Sequence, residues 1–249
     1  LIRELSIAAE VRGTDATGIA YNTSRGLQIY KRPLAAHRLH LRIPAEAHVV
    51  SGHTRMTTQG SAKKNFNNHP FFGHVKGKTF ALAHNGTIWN DLELRRTKHL
   101  PRTKVQTDSF IAVQLIEQQK SLDFSSLRYT AEAVDGSFSF TVLSERDDLY
   151  LIKGDNPLTI VHFPKVGVYV YASTAEILNK ALARCGNWLG RGEKVDITMG
   201  DIVKIDSNGR ITRGTFDASK FYRSSWGYWD TSLYPRTPHS EGEHLALLK

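Results

Sequence analysis

Cysteine is nearly absent from this sequence: Cys185 is the single one in 249 residues. A lone thiol excludes an internal disulfide framework and fits a reducing compartment, so the expected location is the cytoplasm. Long apolar runs are missing too. No stretch approaches the roughly 20 residues that a membrane-spanning helix needs, and no basic-then-apolar leader opens the chain. Methionine is missing at position 1. Leu1 lies directly inside a helical pattern, with Leu5, Ala8 and Ala9 on its apolar face and no capping residue ahead of it. The expectation is that an element preceding this helix is not included. Metal-ligand spacing is lacking as well. His53, His69, His74 and His84 fall in one region, yet no pair shows the helical spacing of a zinc hydrolase and no carboxylate joins them in pattern. These histidines are expected to bond backbone groups near a polar cleft, with no metal and no cofactor.

Charge of one sign predominates. The net charge is +9, with 33 Lys and Arg against 24 Asp and Glu. The basic residues are scattered, in clusters no longer than Lys63-Lys64 and Arg95-Arg96, and no helix-turn-helix, zinc-finger or RNA-binding aromatic signature accompanies them. That argues against nucleic acid as the main partner and leaves an anionic substrate or an acidic partner. The length allows one large domain or two small ones.

The pattern along the chain is α+β. Strand-like runs at 19–22 and 27–31 follow the first helix, and 47–51 reads as a buried strand. Residues 59–70 are polar and read as loop, while 78–84 reads as a strand stopped by the turn pair Asn85-Gly86. Helices are expected over 108–119, capped by Asp108, and over 124–134. Short strands follow at 137–143, 149–153, 158–162 and 166–172, then a helix over 173–184 capped by Ser173. Strands return at 200–206 and 210–216. Beyond them, Phe221, Tyr222, Trp226, Tyr228, Trp229 and Tyr234 lie in a tail, residues 217–249, without clear periodicity. The tail is either disordered or lies across a surface, and its aromatics favour a contact with a partner or a second copy of the chain.

Several segments carry chemistry by their wording and their order. They are Arg12-Gly13-Thr14-Asp15-Ala16-Thr17-Gly18, Gly52-His53-Thr54-Arg55-Met56-Thr57-Thr58-Gln59-Gly60, Asn68-His69-Pro70-Phe71, His84-Asn85-Gly86-Thr87-Ile88 and Thr107-Asp108. Asp135-Gly136-Ser137-Phe138, Gly154-Asp155-Asn156-Pro157-Leu158 and Gly200-Asp201-Ile202 follow. Taken in this order, the chain from 1 to 216 resembles the glutaminase domain of class II, N-terminal-nucleophile glutamine amidotransferases. The resemblance implies a four-layer αββα sandwich of two antiparallel sheets. It also implies hydrolysis of the glutamine side-chain amide to glutamate and ammonia, which passes to an acceptor held by a synthase domain or chain.

Such chemistry needs a nucleophile with a base, donors for the oxyanion, and clamps for both charged ends of the amino acid. The resemblance implies Asn85 and Gly86 as the oxyanion donors; read alone, Asn-Gly is a turn pair. It implies Arg55 as the clamp on the α-carboxylate, where the bland reading is a surface ion pair. It implies Asp108 as the acid that receives the α-ammonium, although the same carboxylate could cap a helix. Thr58 and Gly86 complete the substrate set. Arg12 and Asp15 read as a buried pair that holds the turn near the site. Met56 and Gln59 stand where relatives often carry Trp and His. The nucleophilic cysteine is not in this sequence. The resemblance places it at the start of a strand ahead of Leu1, and Cys185, at a helix end with no free amine beside it, is no substitute. Two explanations follow: a strand not included here, or an inactive glutaminase-fold module that binds glutamine or scaffolds a partner.

Overall fold

The computed structural model describes residues 1–221. The tail aromatics from Tyr222 onward, and the contact role expected of them, lie outside the described residues. Leu1–Asp217 forms one compact unit.

The elements in chain order are α1 (Ile2–Ala8), β1 (Ala16–Thr23), β2 (Gly26–Arg32), β3 (Val50–Arg55), β4 (Phe71–Val75) and β5 (Lys78–Ile88). Then come α2 (Asp91–Thr97), α3 (Phe110–Gln119), α4 (Phe124–Ala133), β6 (Gly136–Ser144), β7 (Leu149–Lys153), β8 (Thr159–Phe163) and β9 (Val168–Ala172). The described unit closes with α5 (Ala175–Cys185), β10 (Glu193–Val195), β11 (Asp201–Ile205) and β12 (Ile211–Thr215). Six strands form one antiparallel sheet in the order β12-β11-β7-β6-β5-β4. The facing layer is two antiparallel sheets of three strands, β2-β1-β3 and β10-β8-β9.

Burial explains the layering. Leu143, Leu149, Leu151, Val203 and Ala81 of the large sheet meet Ala20, Leu27 and Ile160 of the facing layer in one dry core. β6 is buried along seven consecutive residues, because helices cover its second face. On one outer side α3 packs on β4, and α4 on β11 and β12. On the other, α1 and α5 pack on each other, with Ala8, Leu178 and Ala181 meeting Phe163 and Val170. The result is an αββα sandwich. Among the described residues no helix is long and apolar enough to cross a membrane.

Several expected details give way to tertiary context. β5 does not stop at Asn85-Gly86 but runs on to Ile88, because its register with β6 continues through Asn85↔Ser139 and Gly86↔Phe138. Asp108 does not cap a helix: α3 starts at Phe110 with Ser109 at the cap position, and the Asp108 carboxylate is taken by another strand. The α5 cap is Thr174, whose hydroxyl accepts the Ile177 N–H at 3.3 Å, rather than Ser173. The strand expected at 47–51 is shifted to Val50–Arg55 by its pairing with β1. β4, α2 and β10 were not expected.

Candidate functional site

The site begins with the far half of β5. On β6, the Phe138 N–H is taken by Asp155 Oδ1 at 2.8 Å and the Phe138 C=O accepts from the Asn156 N–H at 3.3 Å. Both bonds lie on the β7 side, so Ser137 and Ser139 are the residues that face β5. Their partners Thr87 and Asn85 face back. Antiparallel strands alternate, so His84, Gly86 and Ile88 turn their backbone groups to the other edge. β4 pairs with β5 only as far as Leu82, which leaves that edge open. Two of the three residues have partners there: the His84 C=O accepts from His53 Nε2 at 2.9 Å, and the Ile88 N–H donates to Asp108 Oδ2 at 2.6 Å. The Gly86 N–H points to the same edge, between them. Only glycine fits this position. Its φ is +138°, and an added Cβ would lie 2.0 Å from the Ser137 carbonyl oxygen.

Arg55 closes β3 and is 4% exposed. Its guanidinium donates to Asn68 Oδ1 at 2.7 Å and to the carbonyls of Gln59 and Gly60 at 2.6 and 3.2 Å. Gln59 reaches Asp108 as well, since its Oε1 accepts the Asp108 N–H at 2.7 Å. One residue of the loop thus ties Arg55 to Asp108. Burial holds the Asp108 carboxyl above its ordinary pKa, against the N–H groups of Ile88 and Ser109 and the charge of Arg55. Burial likewise lowers Arg55, opposed by the charges of Asp108 and Asp15. Thr58 is exposed on the same loop. Arg12 and Asp15 do not pair: Arg12 Nε donates to Ser173 Oγ at 3.1 Å, and Asp15 Oδ2 accepts the Thr57 N–H at 2.8 Å, which anchors the base of the loop.

Asn85 contributes differently from Gly86. Its side-chain Nδ2 is buried and has no hydrogen-bond partner among the described residues. A buried donor left unpaired costs about 1–3 kcal/mol, and such groups are exceptional in native proteins. Close by, three histidines come from β3, the loop and β5, with His69 and His84 buried and His53 half-buried. The rings of His53 and His69 lie 4.2 Å apart, and those of His69 and His84 6.5 Å apart. His53 gives its Nε2–H to the His84 carbonyl, while His84 bonds Ser109 Oγ at 2.8 Å and the Ser137 carbonyl at 3.3 Å. Burial pushes His53 and His84 down to about 4, and His69 well below the ordinary histidine value. The expected backbone bonds hold for His53 and His84 but not for His69, whose two ring nitrogens have no partner among the described residues. Exposed His74 faces Glu117 instead, at 3.9 Å.

A cavity of about 720 Å³ adjoins this region. It separates the edge strand β3 from the edge strand β9, between the two small sheets. Gly52, His53 and Thr54 line one wall and Val170, Tyr171 and Ala172 the other, with Asn85, Ser139 and Thr141 beneath and Leu1 and Leu5 of α1 above. Tyr171 OH of β9 reaches Ser51 Oγ of β3 at 2.9 Å. Cys185 ends α5 and does not line the cavity.

A family model described as a glutamine amidotransferase domain matches residues 53–180, just over half of the chain. The chain belongs to the class II glutamine amidotransferase family. Among curated relatives, the glutamine–fructose-6-phosphate aminotransferase of Halalkalibacterium halodurans is 32% identical over 174 residues, covering 67% of this chain and 28% of the relative. That of Bacillus anthracis is 34% identical over 160 residues, covering 61% and 26%. The chain therefore spans about a quarter of the length of these relatives. The fold is shared with the glutamine phosphoribosylpyrophosphate amidotransferase of B. subtilis, with a TM-score of 0.69 at 16% identity, over 86% of this chain and 47% of that one. A predicted glutamine amidotransferase from Pseudomonas aeruginosa matches with a TM-score of 0.52 at 18% identity, over 80% and 87%.

Within the family segments, sequence reasoning named Arg55, Asp108, Asn85 and Gly86, and the structure gathers them around the open edge of β5. It missed the bridging role of Gln59 and the contact of Asn156 with the Asn85 carbonyl. Both residues stood inside quoted motifs, but each acts through a backbone group that side-chain identity does not reveal.

Proposed function

We propose that this domain hydrolyses the side-chain amide of L-glutamine, giving glutamate and ammonia for an acceptor bound by a synthase domain or chain. The observation that carries this reading is the Gly86 N–H on the open edge of β5, beside Asn85 Nδ2, which has no partner among the described residues, and between Arg55 and Asp108. Attack on the amide carbon turns its oxygen into an oxyanion, and fixed donors aimed at that oxygen lower the barrier. Asn85 and Gly86 supply them. Arg55 takes the α-carboxylate, Asp108 the α-ammonium, and Thr58 joins them as the loop settles over the ligand. The three bonds that Arg55 makes to Asn68, Gln59 and Gly60 leave two of its five N–H donors for a ligand. No step calls for a metal or a cofactor, and the single cysteine keeps the cytoplasm as the expected compartment.

By family resemblance the nucleophile is a cysteine at the start of a strand, with its own α-amino group as base. The cavity between β3 and β9 is where such a strand would pair with two sheet edges at once and lie over Asn85. A second reading, a module that binds glutamine without turning it over, is favoured by the position of Cys185 alone. Glutamate and ammonia release by the natural-length protein separates the two. Release that survives chelator supports hydrolysis, and glutamine binding without release supports the module. If glutamine neither binds nor turns over, both readings fall.

A further inference from the structure

The Gly86 N–H belongs to the Asn85–Gly86 peptide, and the opposite end of that peptide is held from outside the site. Asn156 Nδ2 donates to the Asn85 carbonyl at 2.8 Å. Asn156 is itself fastened at both backbone groups: its N–H goes to the Phe138 carbonyl at 3.3 Å, and its carbonyl receives Ser139 Oγ at 2.7 Å. Its side-chain amide lies against Gly86, where an added Cβ would sit 2.5 Å from Nδ2.

In a trans peptide the C=O and N–H lie in one plane and point in opposite directions. Fixing the carbonyl therefore fixes the line of the N–H. We propose that Asn156 is a positioning residue for the oxyanion donor: by pinning the Asn85 carbonyl it aims the Gly86 N–H across the open edge of β5. This rests on the amide-hydrolysis reading. Two physical effects follow. Gly86 has more backbone freedom than any other residue type, so without the pin its peptide plane rocks between strand-like and turned states. A hydrogen bond accepted at the carbonyl also polarises the peptide, which strengthens its N–H as a donor. The carbonyl oxygen has two lone pairs, one for the ladder with Ser139 and one for Asn156.

The test is Asn156→Asp in the natural-length protein, an isosteric change that replaces the donor with a carboxylate oxygen. The Gly86 amide resonance should move and its hydrogen exchange should speed up. The Ile88 amide, held by Asp108, should stay in place as the control for folding. Turnover of glutamine should fall about tenfold or more while KM holds within about twofold, as expected when a donor to a developing charge is misaimed. Should the carboxylate prevent folding, Asn156→Ala removes the donor without adding charge and carries the same expectations. A Gly86 amide that does not respond overturns the proposal. So does a moved amide with unchanged kcat, or a raised KM at constant kcat. Absence of turnover in the unmodified protein defeats the amide-hydrolysis reading instead, and the Gly86 resonance still decides whether Asn156 pins the peptide.

Discussion

In the proposed mechanism Asn85 and Gly86 present two donors to one oxygen, one from a side chain and one from the backbone, so they are expected to fail in different ways. Asn85→Ala removes a buried donor that has no partner among the described residues and should lower turnover about a hundredfold or more with little change in KM. A raised KM with intact turnover would remove Asn85 from the oxyanion role. Gly86→Ala should lower stability before anything else, since its Cβ collides with the Ser137 carbonyl; thermal melting checks this. Arg55→Lys should raise KM about tenfold to a hundredfold, the loss of a charge-assisted contact. It should also loosen the loop, because a lysine cannot reach Asn68, Gln59 and Gly60 together. Faster amide exchange at residues 59–60 is the expected companion, and a KM change without it would mean that Arg55 does not hold the loop. Arg55 and Asp108 were legible in the sequence because both stand in segments whose wording and order resemble the family. Asn156 was not, since its partner is a main-chain carbonyl 71 residues away.

At the scale of elements, the short strands spaced by turn residues, β1, β2, β6 to β9, β11 and β12, were the legible part. β4 was obscured by Gly73, whose presence answers the Phe80 ring that an added Cβ would meet at 2.1 Å. The seven-residue α2 carries too little apolar surface to signal itself, with Leu92 exposed and Leu94 buried. Asn85-Gly86 is a strong local turn signal that the β5–β6 ladder overrides. Packing three elements together also buries His69 and His84 and half-buries His53, which makes the fold acid-sensitive. Above pH 6.5 these rings are neutral both folded and unfolded, and stability does not depend on them. Between 6.5 and about 4 the unfolded chain takes up protons that folded His53 and His84 refuse, so stability falls as pH falls. The loss is of order 3 kcal/mol for each at the low end. The raised carboxyls of Asp108 and Glu117 act in the opposite direction and offset part of it. Urea unfolding at pH 7, 6 and 5 should show a falling midpoint, and His84→Asn should flatten the slope. A midpoint constant from pH 7 to 5 would mean that the cluster is not buried neutral.

For the whole molecule, the layer facing the large sheet is divided by the cavity between β3 and β9. The αββα arrangement was expected from family resemblance, but this division was not, because a gap between strands leaves no mark on the residues of either one. A natural-length protein that carries an extended apolar segment ahead of Leu1 is expected to melt at a higher temperature than residues 1–249 alone. Two sheet edges and the wall formed by Leu1 and Leu5 would then be covered. Calorimetry on the two preparations checks this, and equal melting temperatures would take the segment out of the cavity. The divided layer also sets a hazard. An unpaired sheet edge does not discriminate well, because backbone N–H and C=O groups are alike in every chain. Among the described residues, β3 and β9 therefore offer two templates for a stranger's strand. Exchange of extended segments between copies, rising with concentration and suppressed once the gap is filled, is the behaviour built into that geometry.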